Sequence, residues 1–128
     1  MLSLVLASAL TLPFDFTAFD QAIERCDRPA VLPVFAQEMR RRSQFVSEAY
    51  AEQVRISAER QQLAAARRAA ADVPALSPEL ANARQVMLDD RQRALDDARR
   101  LEHLRREAIE LKRQFFLEHC SSVRKKAD

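Results

Sequence analysis

The stretch Asp72-Val73-Pro74-Ala75-Leu76-Ser77-Pro78 interrupts a chain that is otherwise rich in helix-forming residues. A helix does not continue through its two prolines, because proline lacks the amide proton and clashes with the preceding turn. Ser77-Pro78-Glu79 is typical of a helix start, with an N-cap serine, a first-turn proline and an acid near the helix dipole. Since short connections make sequential helices antiparallel neighbours, the stretch predicts a hairpin that turns near Ala75.

The segments on both sides of this break predict two long helices, at residues 33–72 and 78–121. Their apolar residues recur about every 3.5 positions, the period of a coiled-coil seam. On the first helix the predicted seam consists of Leu32, Met39 and Val46 with Phe35, Ala49, Ile56, Leu63 and Ala70. On the second helix it consists of Met87, Ala94, Leu101, Ala108 and Phe115 with Leu104 and Leu111.

A turn centred near Ala75 also predicts the register of the two helices. Residues whose numbers sum to about 150 should face one another, which follows from antiparallel pairing at equal rise per residue. The expected neighbours are Glu38 with Lys112, Arg41 with Glu110, Arg55 with Asp96 and Arg60 with Asp90.

A short helix at residues 16–26 should precede the hairpin. Its residues Phe16, Phe19, Ile23 and Cys26 follow the 3, 4, 3 spacing of one helical face, and Thr17 is a candidate cap. The seven phenylalanines all lie in the terminal parts of the chain, and none occurs between Ala51 and Gln114. The sequence therefore predicts an all-α fold, a long antiparallel helical hairpin with the short helix packed at an aromatic base, within a single domain at residues 10–128.

Residues 1–9 are interpreted as a signal peptide. The first twelve residues are largely apolar, and Ala7-Ser8-Ala9 has the small-x-small pattern of a cleavage site, although no basic residue precedes the apolar run. We therefore expect a periplasmic or secreted protein. The alternative is a cytoplasmic protein in which the apolar N-terminal segment is retained and buried. No stretch approaches the roughly 20 apolar residues of a transmembrane helix.

The two cysteines, Cys26 and Cys120, come to the same end of the predicted hairpin. In an oxidising compartment we expect a disulfide between them, closing a loop of about 95 residues. Two buried free thiols are the alternative, and a metal site formed with His119 is the weaker hypothesis.

The composition argues against catalysis and against nucleic-acid binding. Glycine is absent, and the only histidines are His103 and His119. No nucleophile–base pair, cofactor motif or metal-ligand spacing appears, so we expect no catalytic, cofactor or metal site. Twenty-one basic and nineteen acidic residues alternate along the chain rather than forming a one-sided basic stripe.

The sequence thus favours an exported helical-hairpin interaction protein, with a chaperone-like or adaptor role. In outline it is similar to arm-bearing periplasmic holdase chaperones, a likeness of shape without a shared motif. A two-helix arm cannot bury all of its apolar seam alone, so a protein partner or a second copy should cover part of it. The alternative is a cytoplasmic coiled-coil scaffold that self-associates through the same seam.

Overall fold

The computed structural model describes residues 16–69 and 76–127, and it contains three α-helices there. Helix α1 spans Phe16–Glu24, α2 spans Arg28–Ala69 and α3 spans Pro78–Ala127. The two long helices pack against each other, α1 contacts both, and no strand occurs among these residues. The predicted all-α hairpin is therefore confirmed. The predicted signal peptide at residues 1–9, the predicted end of the first long helix at residues 70–72 and residues 73–75 of the predicted turn lie outside the described residues.

A tight turn built around Cys26 ends α1. The amide of Asp27 donates to the carbonyl of Ala22 and the amide of Cys26 to that of Ile23, each at 3.0 Å. These two bonds form a Schellman motif, in which the residue at the Cys26 position takes the left-handed conformation that glycine usually occupies. Cys26 has a φ of 53°, so a cysteine fills that position in a chain without glycine.

Helix α2 begins five residues before the predicted start at Pro33. Asp27 caps it, because its side-chain oxygen accepts a hydrogen bond from the amide of Ala30 at 3.3 Å. Pro29 falls within the first turn, where proline is tolerated, and Pro33 lies inside the helix. The prediction took Pro33 as the start, but the aspartate cap and the tolerated Pro29 extend the helix back to Arg28.

Helix α3 begins as predicted at the Ser77-Pro78 pair. The Ser77 side-chain oxygen accepts a hydrogen bond from the amide of Leu80 at 3.2 Å, and the Ser77 carbonyl accepts one from Ala81 at 3.0 Å. Glu79 is the acid of the first turn. The helix runs past the predicted end at residue 121 to Ala127.

The chain divides into two compact units, each containing a part of α2 and a part of α3. The cystine unit comprises the described residues up to Phe45 and those from Leu101 onward, and the turn unit comprises the described part of Val46–Arg100. Each unit has its own buried cluster.

The core of the cystine unit is formed by α1, α2 and α3 together. Phe19 and Ile23 of α1, Val31 of α2 and Phe116 of α3 are all at least 95% buried. The Phe35 ring lies between two others, at 5.2 Å from Phe19 and 6.2 Å from Phe116, within the range of favourable aromatic pairs. The predicted α1 face and the predicted aromatic cluster are thus present.

The core of the turn unit consists mainly of aliphatic residues. Leu63, Ala81 and Leu88 form a buried cluster, and Leu76 packs against it. Ala49, Ile56 and Leu95 are also buried in this unit. The predicted series Ala49, Ile56 and Leu63 therefore does face the partner helix. Phe35 of the same predicted series also packs against the core, and Ala70 lies outside the described residues.

The positions of the other predicted series are wrong by one residue on both long helices. On α2 the buried positions are Val31, Glu38, Phe45 and Glu52, and the predicted Leu32, Met39 and Val46 are exposed. On α3 the series of inward-facing residues is Ala81, Leu88, Leu95, Glu102, Ile109 and Phe116. One residue corresponds to a rotation of about 100°, so the predicted Met87, Leu101, Leu104, Leu111 and Phe115 point away from the core.

Candidate functional site: the disulfide, the buried ion pairs and an exposed apolar stripe

A disulfide joins the turn after α1 to helix α3. The Cα atoms of Cys26 and Cys120 are 5.4 Å apart, within the ordinary range for a disulfide. Cys120 is buried, Cys26 packs against the same cluster, and Val31 and Phe116 are among their neighbours. The structure thus pairs the two cysteines as the sequence analysis expects, and neither is a free thiol.

The hypothesis of a metal site at Cys26, Cys120 and His119 does not fit this geometry. Zinc and similar ions are bound by thiolates, whereas both sulfurs here are in the disulfide. The His119 Nε2 atom lies 3.3 Å from the carbonyl oxygen of Glu24. His103 pairs instead with Glu107 at 3.2 Å. Within the described residues no cluster of metal-ligating side chains is found.

Two buried glutamates cross-link α2 and α3 in the cystine unit. The Arg41 guanidinium donates to both carboxylate oxygens of Glu102, at 2.9 and 2.7 Å. Arg105 binds Glu38 in the same two-pronged way, at 3.1 and 2.5 Å. Burial lowers the pKa of Arg41, but the hydrogen bond to Glu102 and the charge of Glu38 outweigh it, so the pKa lies above its ordinary value.

A third buried glutamate, Glu52, has the same role in the turn unit. It accepts hydrogen bonds from Arg91 at 2.9 Å and from Arg55 at 3.1 Å, and Arg91 also binds Glu59. Burial raises the pKa of the Glu52 carboxyl, but the hydrogen bonds from Arg91 and Arg55 outweigh it and hold the pKa below its usual range. The hydrogen bond to Glu52 in turn raises the pKa of Arg91.

These contacts show a register that is several residues away from the predicted one in the cystine unit. Arg41 pairs with Glu102 rather than with Glu110, and Glu38 with Arg105 rather than with Lys112. Lys112 binds Asp20 of α1 at 2.5 Å. The residue numbers of both observed α2–α3 pairs sum to 143 rather than to about 150, so the prediction fails because the register is shifted by about one heptad from that of a turn centred near Ala75.

The predicted pairings in the turn unit are closer, but they also differ. Arg60 pairs with Asp89, one residue from the predicted Asp90. Arg55 pairs with Glu52 of its own helix rather than with Asp96. Gln53 and Gln92, whose side chains exchange two hydrogen bonds at 2.9 and 3.1 Å, belong to the same interface.

The most conspicuous surface feature of the cystine unit is an apolar row on α3, called the α3 stripe below. Four of its members are large side chains with exposed fractions between 51 and 67%. Ala108, the fifth, is half-buried. The spacing 3, 4, 3, 4 is that of a coiled-coil seam. The α3 stripe consists of Leu101, Leu104, Ala108, Leu111 and Phe115.

The position of Cys120 on the helical wheel indicates which side of α3 is buried. The prediction of the seam did not take this signal into account. A residue four positions earlier lies on the same helical face, which places Phe116 beside Cys120. Phe115 is five positions away, a rotation of about 140° at 3.6 residues per turn. The structure agrees, since Phe116 is 1% exposed and Phe115 is 51% exposed.

No helix within the described residues is both long and apolar enough to cross a bilayer. Comparison with protein-family models, curated proteins and solved structures finds no match to this chain.

Proposed function

We propose that this protein is an exported helical-hairpin interaction protein that binds another protein through the α3 stripe, in a chaperone-like or adaptor role and without catalytic activity. The observation that carries the proposal is the stripe itself, in which Leu101, Leu104, Leu111 and Phe115 are all more than half exposed. Contiguous exposed apolar side chains of this kind mark protein interaction sites.

The stripe is not needed for the core of its own unit. Glu102, Ile109 and Phe116 already face α2, and Phe116 and Cys120 belong to the buried cluster. Burying the stripe against a partner would remove apolar surface from water, worth about 25 cal/mol per Å². Helix α3 therefore carries one apolar face for folding and a second, adjacent face for binding.

Export is supported by the disulfide. Such bonds persist in oxidising compartments and are rare in the cytosol of most organisms. Cys26 and Cys120 pair in the structure, and the apolar residues 1–9 predicted as a signal peptide agree with the same location. Mass spectrometry of the protein isolated from its native host tests this part of the proposal, because an exported protein should lack residues 1–9.

The partner-binding part is tested with a Leu104→Glu/Leu111→Glu variant. Both side chains are at least 60% exposed, so we expect the fold and the melting temperature to change little. Capture of partners from a native envelope extract should be lost. The matched control is Leu80→Glu/Val86→Glu, which adds the same charge at exposed apolar positions of the turn unit. Equal capture by the wild type and both variants would contradict the proposal.

The alternative function is a cytoplasmic scaffold that self-associates. The coiled-coil spacing of the α3 stripe favours it, because two identical seams are complementary across a two-fold axis. Sedimentation velocity over a concentration series distinguishes the two functions. A dimer that is lost in Leu104→Glu/Leu111→Glu, together with free thiols in protein isolated from the cytoplasm, would favour the scaffold.

A further inference from the structure

We propose that a second site in the cystine unit, a groove between α2 and α3, binds an acidic amphipathic helix of a partner protein. This inference rests on the proposed interaction function and specifies the chemistry of the partner. The groove has a volume of about 490 Å³ and is lined by both long helices. It is separate from the α3 stripe, none of whose five residues lines it.

The groove occupies the side of the helix pair that α1 leaves open. Lys112 and His119 lie on one edge of the buried face of α3, and both contact α1. Arg106 and Arg113 lie on the other edge of that face and line the groove. None of the helices within residues 16–69 and 76–127 fills this side. A further helix placed there would complete a four-helix arrangement.

The lining residues follow helical spacing along both walls. On α2 they include Leu32, Phe35, Met39 and Arg42, a strip of three turns. At 1.5 Å per residue this strip is about 15 Å long. Such a groove matches the common mode of recognition in which a helix lays an apolar face, with anchors at i, i+3, i+4 and i+7, between two others.

The floor of the groove is apolar and accessible. Phe35 and Ile109 are half-buried, while Leu32 and Met39 in the walls are 49 and 75% exposed. Phe35 and Ile109 already pack against the buried cluster, so a partner helix would gain contact with a floor that is held in place. Pre-organisation of this kind lowers the cost of binding.

The charges that line the groove favour a negatively charged partner. Its acidic residues Glu38 and Glu102 are neutralised by Arg41 and Arg105, and Glu110 pairs with Arg113. Arg42 and Arg106 have no hydrogen bond or ion pair with any described residue. The groove therefore presents two uncompensated positive charges beside an apolar floor, and it is complementary to a helix with Leu-like anchors and Glu or Asp on its flanks.

The test uses two synthetic helical peptides of about three turns that share the same leucine positions, one flanked by glutamate and one by lysine. Fluorescence anisotropy with the full, oxidised protein should show binding of the acidic peptide about tenfold or more tighter than the basic one. The preference should shrink as salt is raised.

Variants then assign the binding to the groove. Arg42→Glu/Arg106→Glu should abolish or reverse the preference, and Met39→Glu, at an exposed position, should weaken binding of the acidic peptide severalfold. The matched control Arg93→Glu/Arg100→Glu makes the same change of net charge in the turn unit, at side chains that are 77 and 78% exposed. It should retain the preference, and circular dichroism should show all variants folded.

Several results would overturn the inference. Equal binding of both peptides, or equal loss in the control variant, would show that the groove does not select an acidic helix. Binding that appears only after residues 1–15 are deleted would identify the chain's own N-terminal segment as the occupant. Self-association that is abolished by Met39→Glu would identify a second copy. The proposed function is tested separately, by the capture of partners with the Leu104→Glu/Leu111→Glu variant. It can therefore be correct even if the groove does not bind an acidic helix.

Discussion

Cys26 combines two structural roles that are usually held by different residues. It ends α1 in the left-handed conformation, with φ at 53°, and it forms the disulfide to Cys120. A residue with a side chain pays a steric penalty of roughly 1–2 kcal/mol in that conformation. The disulfide stabilises the fold at the residue where the backbone is least favourable for a non-glycine side chain.

This conflict predicts an unusual order of stability among variants that lack the disulfide. Cys26→Gly should be more stable than Cys26→Ala by about 0.5–1 kcal/mol, because glycine accepts a positive φ but loses more entropy on folding. Chemical denaturation measures the difference. Cys120 lies within α3, so there the order should reverse, with Cys120→Ala more stable than Cys120→Gly by about 1 kcal/mol. An advantage of alanine at both positions would contradict this account.

Glu52 is the residue that should make the turn unit sensitive to acid. Its pKa is lowered in the folded state by hydrogen bonds from Arg91 and Arg55, despite burial. The folded state therefore binds a proton less readily than the unfolded state. The stabilisation from Glu52 is complete above the unfolded pKa, about 4.3, and it decreases as the pH falls through the lower folded pKa.

We expect Glu52→Gln to reduce the free energy of unfolding at pH 7 by about 1–3 kcal/mol, since hydrogen bonds to a charged group are lost. The difference from the wild type should narrow at pH 3, because there the unfolded wild-type chain binds a proton that the folded carboxylate resists. Urea midpoints at the two pH values measure it. Glu118→Gln, at an exposed position of α3, is the control and should differ little from the wild type at either pH. A difference that stays constant with pH would rule out this role of the carboxylate.

At the scale of the element, α3 is distinguished by two adjacent apolar faces. One contains Ile109, Phe116 and Cys120 and packs on the other helices, while the α3 stripe lies on the next face. Because the two faces differ by a single residue, neighbouring phenylalanines lie in opposite environments. Phe116 is 1% exposed, and Phe115 is 51% exposed and stacks on His119 at 5.2 Å.

Alanine substitutions at these two phenylalanines should separate folding from binding. Phe116→Ala should cost about 3–5 kcal/mol, the usual range for truncation of a buried phenylalanine. Phe115→Ala should cost less than about 1.5 kcal/mol, because half of the side chain already contacts water. Thermal unfolding measures both changes in stability. The Phe115→Ala protein should stay folded and capture less partner than the wild type, whereas the main effect of Phe116→Ala should be on stability. Equal destabilisation would show that the stripe belongs to the core.

At the scale of the molecule, the disulfide connects residues that are 94 positions apart. Closing a loop of this length restricts the unfolded chain, and the chain-entropy model gives roughly 4–5 kcal/mol. The cystine unit is a small cluster, so this contribution is a large part of a typical total stability of about 5–15 kcal/mol.

Reduction should therefore lower the melting temperature by about 10–20 °C, given the usual shift per kcal/mol for domains near this size. Circular dichroism melts with and without reductant measure the change. The Cys26→Ser/Cys120→Ser variant is the control: it should melt at the lower temperature and should not respond to reductant. A wild-type protein whose melting is unaffected by reductant, or which shows free thiols when denatured, would contradict the stabilising role of the disulfide.

Much of the fold follows from local chemistry that can be recognised in the sequence. The start of α3 at Ser77-Pro78 depends on a cap and a proline that act within one turn. The apolar face of α1 depends on a spacing that involves no other element. The pairing of Cys26 with Cys120 follows from the hairpin topology, because it brings the turn after α1 beside the C-terminal part of α3.

Only the tertiary structure decided which side of each long helix is buried. The apolar pattern favours Met39, Leu101 and Phe115, and the charge pattern excludes Glu38 and Glu102 from a core. In the structure the glutamates are inside, because arginines of the facing helix bind both of their carboxylate oxygens at 2.5–3.1 Å. A buried charge is tolerated when its partner is supplied from a distant part of the chain, and that partner is set by helix rotation and register, which no local pattern encodes.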